Sequence, residues 1–202
     1  PMIPRLLVEP PMGADEAARW TTPEERAEAA AFGSERRRAE FLGWRAIVRR
    51  ELGMQVRIGY DAAGAPVLTG SDCCISVAHC ADRIAVCISP KRCAVDIEPA
   101  SRDFSRAESR YTTPSERALS DDPLWPGIVW CAKEALYKYS GRRELDFRKD
   151  LRIGSADLAA GRLTGRIGNG EPADRCHNAA DTDGNNRYAG RNTGAKSSRC
   201  FG

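Results

Sequence analysis

The stretch "TTPSERA", residues 112–118, repeats an earlier one, "TTPEERA", residues 21–27. In each copy a threonine can cap a helix, proline follows at the first helical position, and a glutamate three residues after the threonine can bond back to it. About twenty residues later, each copy reaches a helical stretch that starts with tryptophan and ends before glycine, "WRAIVRRELG" from Trp44 and "WCAKEALYKYSG" from Trp130. This duplication predicts two related halves.

Short segments of strand-like composition lie between the helical regions: "VRIGYD", "CCISVAH", "RIAVCIS" and "CAVDIE". The sequence therefore predicts an α+β fold with two similar halves, each a small antiparallel sheet with packed helices. We place the N-terminal half at residues 1–89 and the C-terminal half at residues 90–167.

Composition narrows the function classes. The chain has 202 residues, 42% of them hydrophobic and 29% charged, and a net charge of +3, which argues against a dedicated nucleic-acid binder. No apolar run approaches the ~20 residues that cross a bilayer, and the N-terminus lacks a secretory signal, so we expect a cytoplasmic protein. The eight cysteines include no C-x-x-C pair. We expect no zinc site and mostly buried free thiols.

The last segment, residues 168–202, contains no valine, isoleucine, leucine or methionine. It cannot build a core, so it is predicted to be disordered or to result from a frame shift near Glu171. Pro1 precedes Met2, which is compatible with a fragment or with an incomplete reading frame.

Two acids and a helix form the candidate chemical site. Strand alternation would place Asp96 and Glu98 on one face, where their mutual repulsion favours a divalent cation such as magnesium. Glu134 and Lys138 are four apart on the following helix, so they share a stripe, and Glu134 is a candidate third acid. The simpler interpretations are an exposed strand face and a solvated Glu134–Lys138 ion pair.

"AVDIE" and, 31 residues later, "WCAKEALYK" resemble the paired signature of the phosphopantetheinyl transferases, in the larger surfactin-synthetase-type subfamily. "DAAGAPVL" and "ISVAHC" resemble two further segments of that family. The resemblance implies a pseudo-dimer of two α+β halves in one chain, with coenzyme A in the cleft between them. It also implies a monomer.

The implied reaction transfers 4'-phosphopantetheine from coenzyme A to a serine of an acyl, aryl or peptidyl carrier protein. By this resemblance Glu134 and Lys138 are catalytic, and Glu134 also accepts the serine proton. The implied magnesium ligands are Asp96, Glu98 and Glu134. The implied contacts to coenzyme A phosphates are Arg45, His79, Lys133 and Lys138.

Three positions depart from the family pattern. Ala94, Ala78 and Ala65 stand where glycine, serine and lysine are usual, and they predict weaker coenzyme A binding rather than lost chemistry. Two other functions stay open: a metal-dependent nuclease, and a truncated relative that binds nucleotide or carrier protein without turnover.

Overall fold

The structure, a computed structural model, describes residues 2–168 and 172–176. Its elements up to residue 89 are the helices α1 (Ala14–Arg19), α2 (Pro23–Ala30) and α3 (Glu35–Leu52), and the strands β1 (Arg5–Glu9), β2 (Arg57–Tyr60), β3 (Pro66–Thr69), β4 (Cys74–His79) and β5 (Ile84–Ser89). After residue 90 follow the helices α4 (Glu108–Tyr111), α5 (Pro114–Arg117) and α6 (Trp125–Ser140), and the strands β6 (Leu151–Asp157), β7 (Arg162–Ile167) and β8 (Pro172–Cys176).

The strands form small antiparallel sheets. The order is β1-β5-β4 in one sheet, β2-β3 in a hairpin and β6-β7-β8 in a third sheet. The predicted α+β class is confirmed. The pseudo-dimeric relation of the two halves stays a prediction.

Both predicted capping boxes are present. Thr22 caps α2 and Thr113 caps α5, each accepting from the backbone amide of a glutamate three residues on, whose side chain accepts from the threonine amide. Such a cap satisfies amide groups that the first helical turn leaves without partners. These helix starts follow from local chemistry, which is why the sequence predicts them.

Strand β5 is buried along its whole length because both of its faces are covered. Ile84, Val86 and Ile88 face a cluster that includes Trp44 and Ile47 of α3. Its alternate residues face a second cluster made of Ala78, Cys80, Ala85, Cys87, Cys93, Val95 and Ile97. This second cluster joins residues from both sides of the predicted boundary at residue 89, so the segment that carries Asp96 is held against the first sheet.

The prediction of a strand at "CAVDIE" is wrong, because the described structure assigns residues 93–98 to no helix or strand. Side chains bind the backbone there instead of a neighbouring strand. The Val95 amide donates to Ser76 Oγ at 3.1 Å, and the Val95 carbonyl accepts from Lys138 Nζ at 3.0 Å. These bonds use the groups that a strand ladder would need.

Helix α6 packs one face against the third sheet. The cluster around it includes Trp125, Ile128 and Leu136 of the helix and Leu151 and Leu163 of the strands. The predicted amphipathic helix is confirmed, and it begins five residues before Trp130 and ends at Gly141, whose φ is 62°. Gly141 lies in the left-handed region that favours glycine at a helix C-terminus.

The predicted tail, residues 168–202, is described only at Gly168 and at β8, which pairs with β7; the rest lies outside the described residues. The cysteine prediction holds for Cys80, Cys93 and Cys131, which are buried free thiols. It disagrees with Cys87, which is disulfide-bonded, and with Cys74 and Cys73, which are free thiols but are exposed and half-buried, respectively. Within the described part of the chain, no helix combines the length and the apolar character needed to cross a membrane.

Candidate active site

Lys138 connects helix α6 to the acidic segment. Its Nζ donates to Asp96 Oδ1 at 2.8 Å and to the Val95 carbonyl at 3.0 Å. An ammonium group has three hydrogens, so one remains for another acceptor. The structure therefore brings Asp96 together with the stripe of α6 that carries Glu134 and Lys138.

Asp96 is largely buried, and its second oxygen makes no hydrogen bond of normal geometry. The thiol of Cys131, a weak donor, is close enough to this carboxylate to lower its pKa. Oδ2 is a buried atom without a hydrogen bond, while Oδ1 is held by Lys138. Burial raises the pKa of Asp96, Lys138 opposes that rise, and the nearby charge of Glu98 adds to it. A buried carboxylate oxygen without a donor is costly unless a cation or a donor approaches it.

Glu134 shares this electrostatic environment. Burial raises its pKa first, and the charge of Asp96 raises it further, while Lys138 acts in the opposite direction. The charge of Glu98 also raises the pKa of Glu134. Asp96 and Glu98 are thus close enough to Glu134 to raise its pKa, and a raised pKa suits a carboxylate that has to accept a proton.

Glu98 is paired with an arginine that the sequence analysis did not select. Arg102 forms an ion pair with Glu98, and its guanidinium lies 4.9 Å from the centre of the Phe104 ring and 5.8 Å from that of Trp130. A turn in which the Arg102 amide donates to the Pro99 carbonyl at 3.0 Å directs the chain back toward Glu98. Sequence spacing carries no signal for this contact, because the segment is not helical.

The donor chemistry of these residues fits magnesium. The described residues contain no group of three or more His, Cys, Asp or Glu side chains that already converge on an ion position. Carboxylate oxygens are nevertheless the ligands that Mg²⁺ prefers, and Asp96 Oδ2 is an acceptor with only a weak donor near it. Binding would require Glu98 and Glu134 to move closer to Asp96.

Lys133 does not face this site. Its side chain is 0% exposed and donates to the Tyr111 carbonyl at 2.5 Å, to the Phe147 carbonyl at 2.8 Å and to Glu116 Oε2 at 2.9 Å. All three ammonium hydrogens are therefore used inside the protein. The predicted contact of Lys133 with a phosphate does not agree with this geometry. Five residues separate it from Lys138, which is a rotation of about 140° around a helix.

Arg45 and His79 lie in the other half of the chain. The Arg45 side chain is only 4% exposed; it donates to Tyr60 Oη at 2.7 Å and lies 3.6 Å from Glu25 Oε1. His79 is 48% exposed and has Nδ1 at 3.4 Å from Glu40 Oε1. Among the described residues, no hydrogen bond or ion pair joins either of them to the three acids. Only His79 presents a large part of its side chain to a ligand.

A cavity of about 280 Å³ is lined by Glu98 but not by Asp96 or Glu134. Glu98 and Cys131 line it near Asp96, and Phe104, Leu124 and Ile128 supply apolar lining. Cys131 lies three residues before Glu134 on α6, so the stripe of the helix that lines the cavity leads to Glu134. The helical spacing from Glu134 could have indicated Cys131 as a residue near the site. The cavity itself could not be predicted, because it depends on how the loop after Glu98 folds.

Comparison with known proteins agrees with a candidate site in the C-terminal half of the chain. Residues 92–189, just under half of the chain, match the model of the 4'-phosphopantetheinyl transferase superfamily. The matched region contains Asp96, Glu98, Glu134 and Lys138, whereas Arg45 and His79 lie outside it. No curated protein matches the chain significantly.

Proposed function

We propose that this protein is a magnesium-dependent phosphopantetheinyl transferase of the surfactin-synthetase type. It moves 4'-phosphopantetheine from coenzyme A to a serine of a carrier protein. The family match over residues 92–189 implies phosphopantetheinyl transfer in general. The single observation that supports the metal-dependent form best is the buried Asp96 Oδ2, which has only the weak donor Cys131 near it, beside two further acids.

Asp96, Glu98 and Glu134 are the proposed ligands of the magnesium ion. When bound, the ion supplies positive charge to the diphosphate and to the leaving group. Lys138 keeps Asp96 in place and offers its third hydrogen to a phosphate oxygen. Phosphoryl transfer depends mainly on such positioning and charge neutralisation.

In the proposed reaction, the serine oxygen forms a bond to the β-phosphorus of coenzyme A. The bond from that phosphorus to the bridging oxygen breaks, and adenosine 3',5'-bisphosphate leaves. Glu134 takes the serine proton, directly or through water. Burial and the charge of Asp96 raise the pKa of Glu134, which strengthens it as a base.

Coenzyme A binding would also use the N-terminal half. His79 is exposed enough to contact a phosphate, with Glu40 beside it to orient the ring. Arg45 remains a proposed phosphate contact, although in this structure it is buried under Tyr60. We propose that the protein acts as a monomer, on carrier proteins that are acidic.

The direct test incubates the protein with an apo carrier protein, coenzyme A and magnesium, and measures the carrier by mass spectrometry. One phosphopantetheine should be added to a single serine, and EDTA should prevent it. Asp96→Asn and Glu134→Gln should abolish the addition, while Asp157→Asn, a change at an exposed acid on the β6–β7 hairpin, should leave it intact.

Other results would select the other functions. A folded sample that binds coenzyme A but modifies no carrier protein would indicate a non-catalytic relative. Cleavage of a labelled oligonucleotide in magnesium, unaffected by coenzyme A, would indicate a nuclease.

A further inference from the structure

Two protein cations neutralise the acids of the candidate site. Lys138 bonds Asp96, and Arg102 forms an ion pair with Glu98. The two pairs differ in how firmly they are held. Lys138 has a second bond, to the Val95 carbonyl, and its side chain is 32% exposed, whereas that of Arg102 is 46% exposed.

We propose that Arg102 is an internal counter-ion that competes with the divalent cation for Glu98, so that metal binding has to displace its guanidinium. The inference rests on the proposed function, because it assumes that Glu98 binds the metal. It adds a residue that the acidic signature does not contain. Arg102 itself does not touch the reacting atoms and acts through Glu98.

The surroundings of Arg102 allow this displacement. Its guanidinium lies over Phe104 and near Trp130, contacts that can persist when the ion pair with Glu98 breaks. Arg102 also lines the cavity beside Glu98, and so does Asp103, a second carboxylate within the same loop. The released side chain therefore has space and a nearby negative charge.

The absence of a converged metal cluster among residues 2–168 and 172–176 agrees with this arrangement. With Glu98 turned to Arg102, only part of the ligand set faces Asp96. A partly exposed ion pair contributes about 0.2–1 kcal/mol. Removing the competitor should thus tighten metal binding by about 1.4- to fivefold, since 1.4 kcal/mol corresponds to a factor of ten.

The experiment measures Mn²⁺ binding to the full chain without coenzyme A, from the electron paramagnetic resonance signal of free Mn²⁺. Arg102→Gln should bind Mn²⁺ about 1.4- to fivefold more tightly than the wild type. Arg162→Gln is the matched control, because Arg162 has the same 46% side-chain exposure and pairs with Asp157 on the β6–β7 hairpin. Arg162→Gln also removes one positive charge, but at a position away from the acids. Any effect of net charge alone on Mn²⁺ binding therefore appears in both variants.

Two further variants make the result specific. Arg102→Met keeps an apolar side chain against Phe104 and should also tighten binding, which covers the case in which Arg102→Gln folds poorly. In a Glu98→Gln background, Arg102→Gln should give no gain, because the contested carboxylate is gone. Urea unfolding followed by tryptophan fluorescence verifies that each variant is folded.

The outcomes separate the two proposals. If Arg102→Gln and Arg102→Met bind Mn²⁺ no more tightly than Arg162→Gln, the counter-ion inference is overturned, and carrier modification by the wild type would leave the proposed function standing. If neither wild type nor variants bind Mn²⁺ and no carrier is modified, both proposals fail.

Discussion

The substitution Lys133→Met tests whether Lys133 of helix α6 stabilises the protein interior rather than binding a phosphate. Lys133 ends in a pocket made by Glu116 and the carbonyls of Tyr111 and Phe147. Methionine has a similar length but no charge and no donor. The change therefore leaves a buried carboxylate without its cation and two carbonyls without a donor.

The magnitude follows from the burial of the pair. The side chains of Lys133 and Glu116 are 0% and 1% exposed. Removing one partner of a buried ion pair costs about 3–5 kcal/mol, a large part of the roughly 5–15 kcal/mol that stabilises a folded domain. At about 2–4 °C per kcal/mol for a chain of this size, the melting temperature should fall by about 6–20 °C.

Urea unfolding, followed by tryptophan fluorescence, measures this loss. Trp125 reports on the region, because its Nε1 donates to the Glu116 carbonyl at 2.9 Å. Lys149→Met, at an exposed lysine, is the control and should change the free energy of unfolding by less than about 0.5 kcal/mol. The double variant Lys133→Met/Glu116→Gln should lose less than the sum of the single changes, because the unpaired charge is absent.

The contribution of the Lys133–Glu116 ion pair to folding stability should depend on pH in a definite direction. Burial acts to raise the pKa of Glu116, but hydrogen bonds from Lys133 and from the amides of Ile153 and Thr113 hold it below its usual value. A lowered pKa in the folded state stabilises the protein above the usual carboxyl pKa, and this contribution is lost as the pH falls through the lowered value. The difference in stability between wild type and Lys133→Met should therefore shrink on acidification.

A contrary result is easy to recognise. If Lys133→Met kept the wild-type urea midpoint but bound coenzyme A more weakly per folded molecule, Lys133 would be a phosphate contact and its role in the buried ion pair with Glu116 would be refuted.

Further predictions concern the acids, the end of α6 and the partner. Glu134→Gln should abolish transfer and raise the melting temperature, by about 2–4 °C if the gain is about 1 kcal/mol, at a pH above the raised pKa of Glu134. The change removes a partly buried charge and its repulsion with Asp96, which together outweigh the attraction of Lys138, and the gain should shrink as the pH falls through that pKa. Gly141→Ala and Gly161→Ala should lower the urea midpoint by similar amounts, because both glycines have nearly the same positive φ, 62° and 63°, which costs any residue with a Cβ about 1–2 kcal/mol. The Cβ at Gly141 would meet only the guanidinium of Arg92, the end of an exposed and flexible side chain that can move aside. A clearly larger loss at Gly141 would contradict this reason. The rate of carrier modification should fall as salt rises if an acidic carrier docks on basic residues, and a salt-independent rate would exclude such steering.

Much of the local structure could be predicted from the sequence. The two capping boxes, the C-terminal end of α6 and the strands β4 and β5 depend on residues close together in the chain, and the structure contains them. The start of α6 was not predicted, because the helix begins five residues before Trp130. The segment of Asp96 shows where this reasoning stops. Its alternating pattern indicated a strand, but its backbone partners, Ser76 and Lys138, come from distant parts of the chain.

The sequence by itself determined which residues are available for the chemistry: two acids two residues apart, and a helix that offers an acid and a lysine four apart. The tertiary structure alone decided which charges reach the site. It directed Lys138 to Asp96, buried Lys133 against Glu116, and placed Arg102 on Glu98. The reason is physical: a charge is stabilised by the partners and the burial that the folded chain provides, and neither is encoded in the spacing of residues along it.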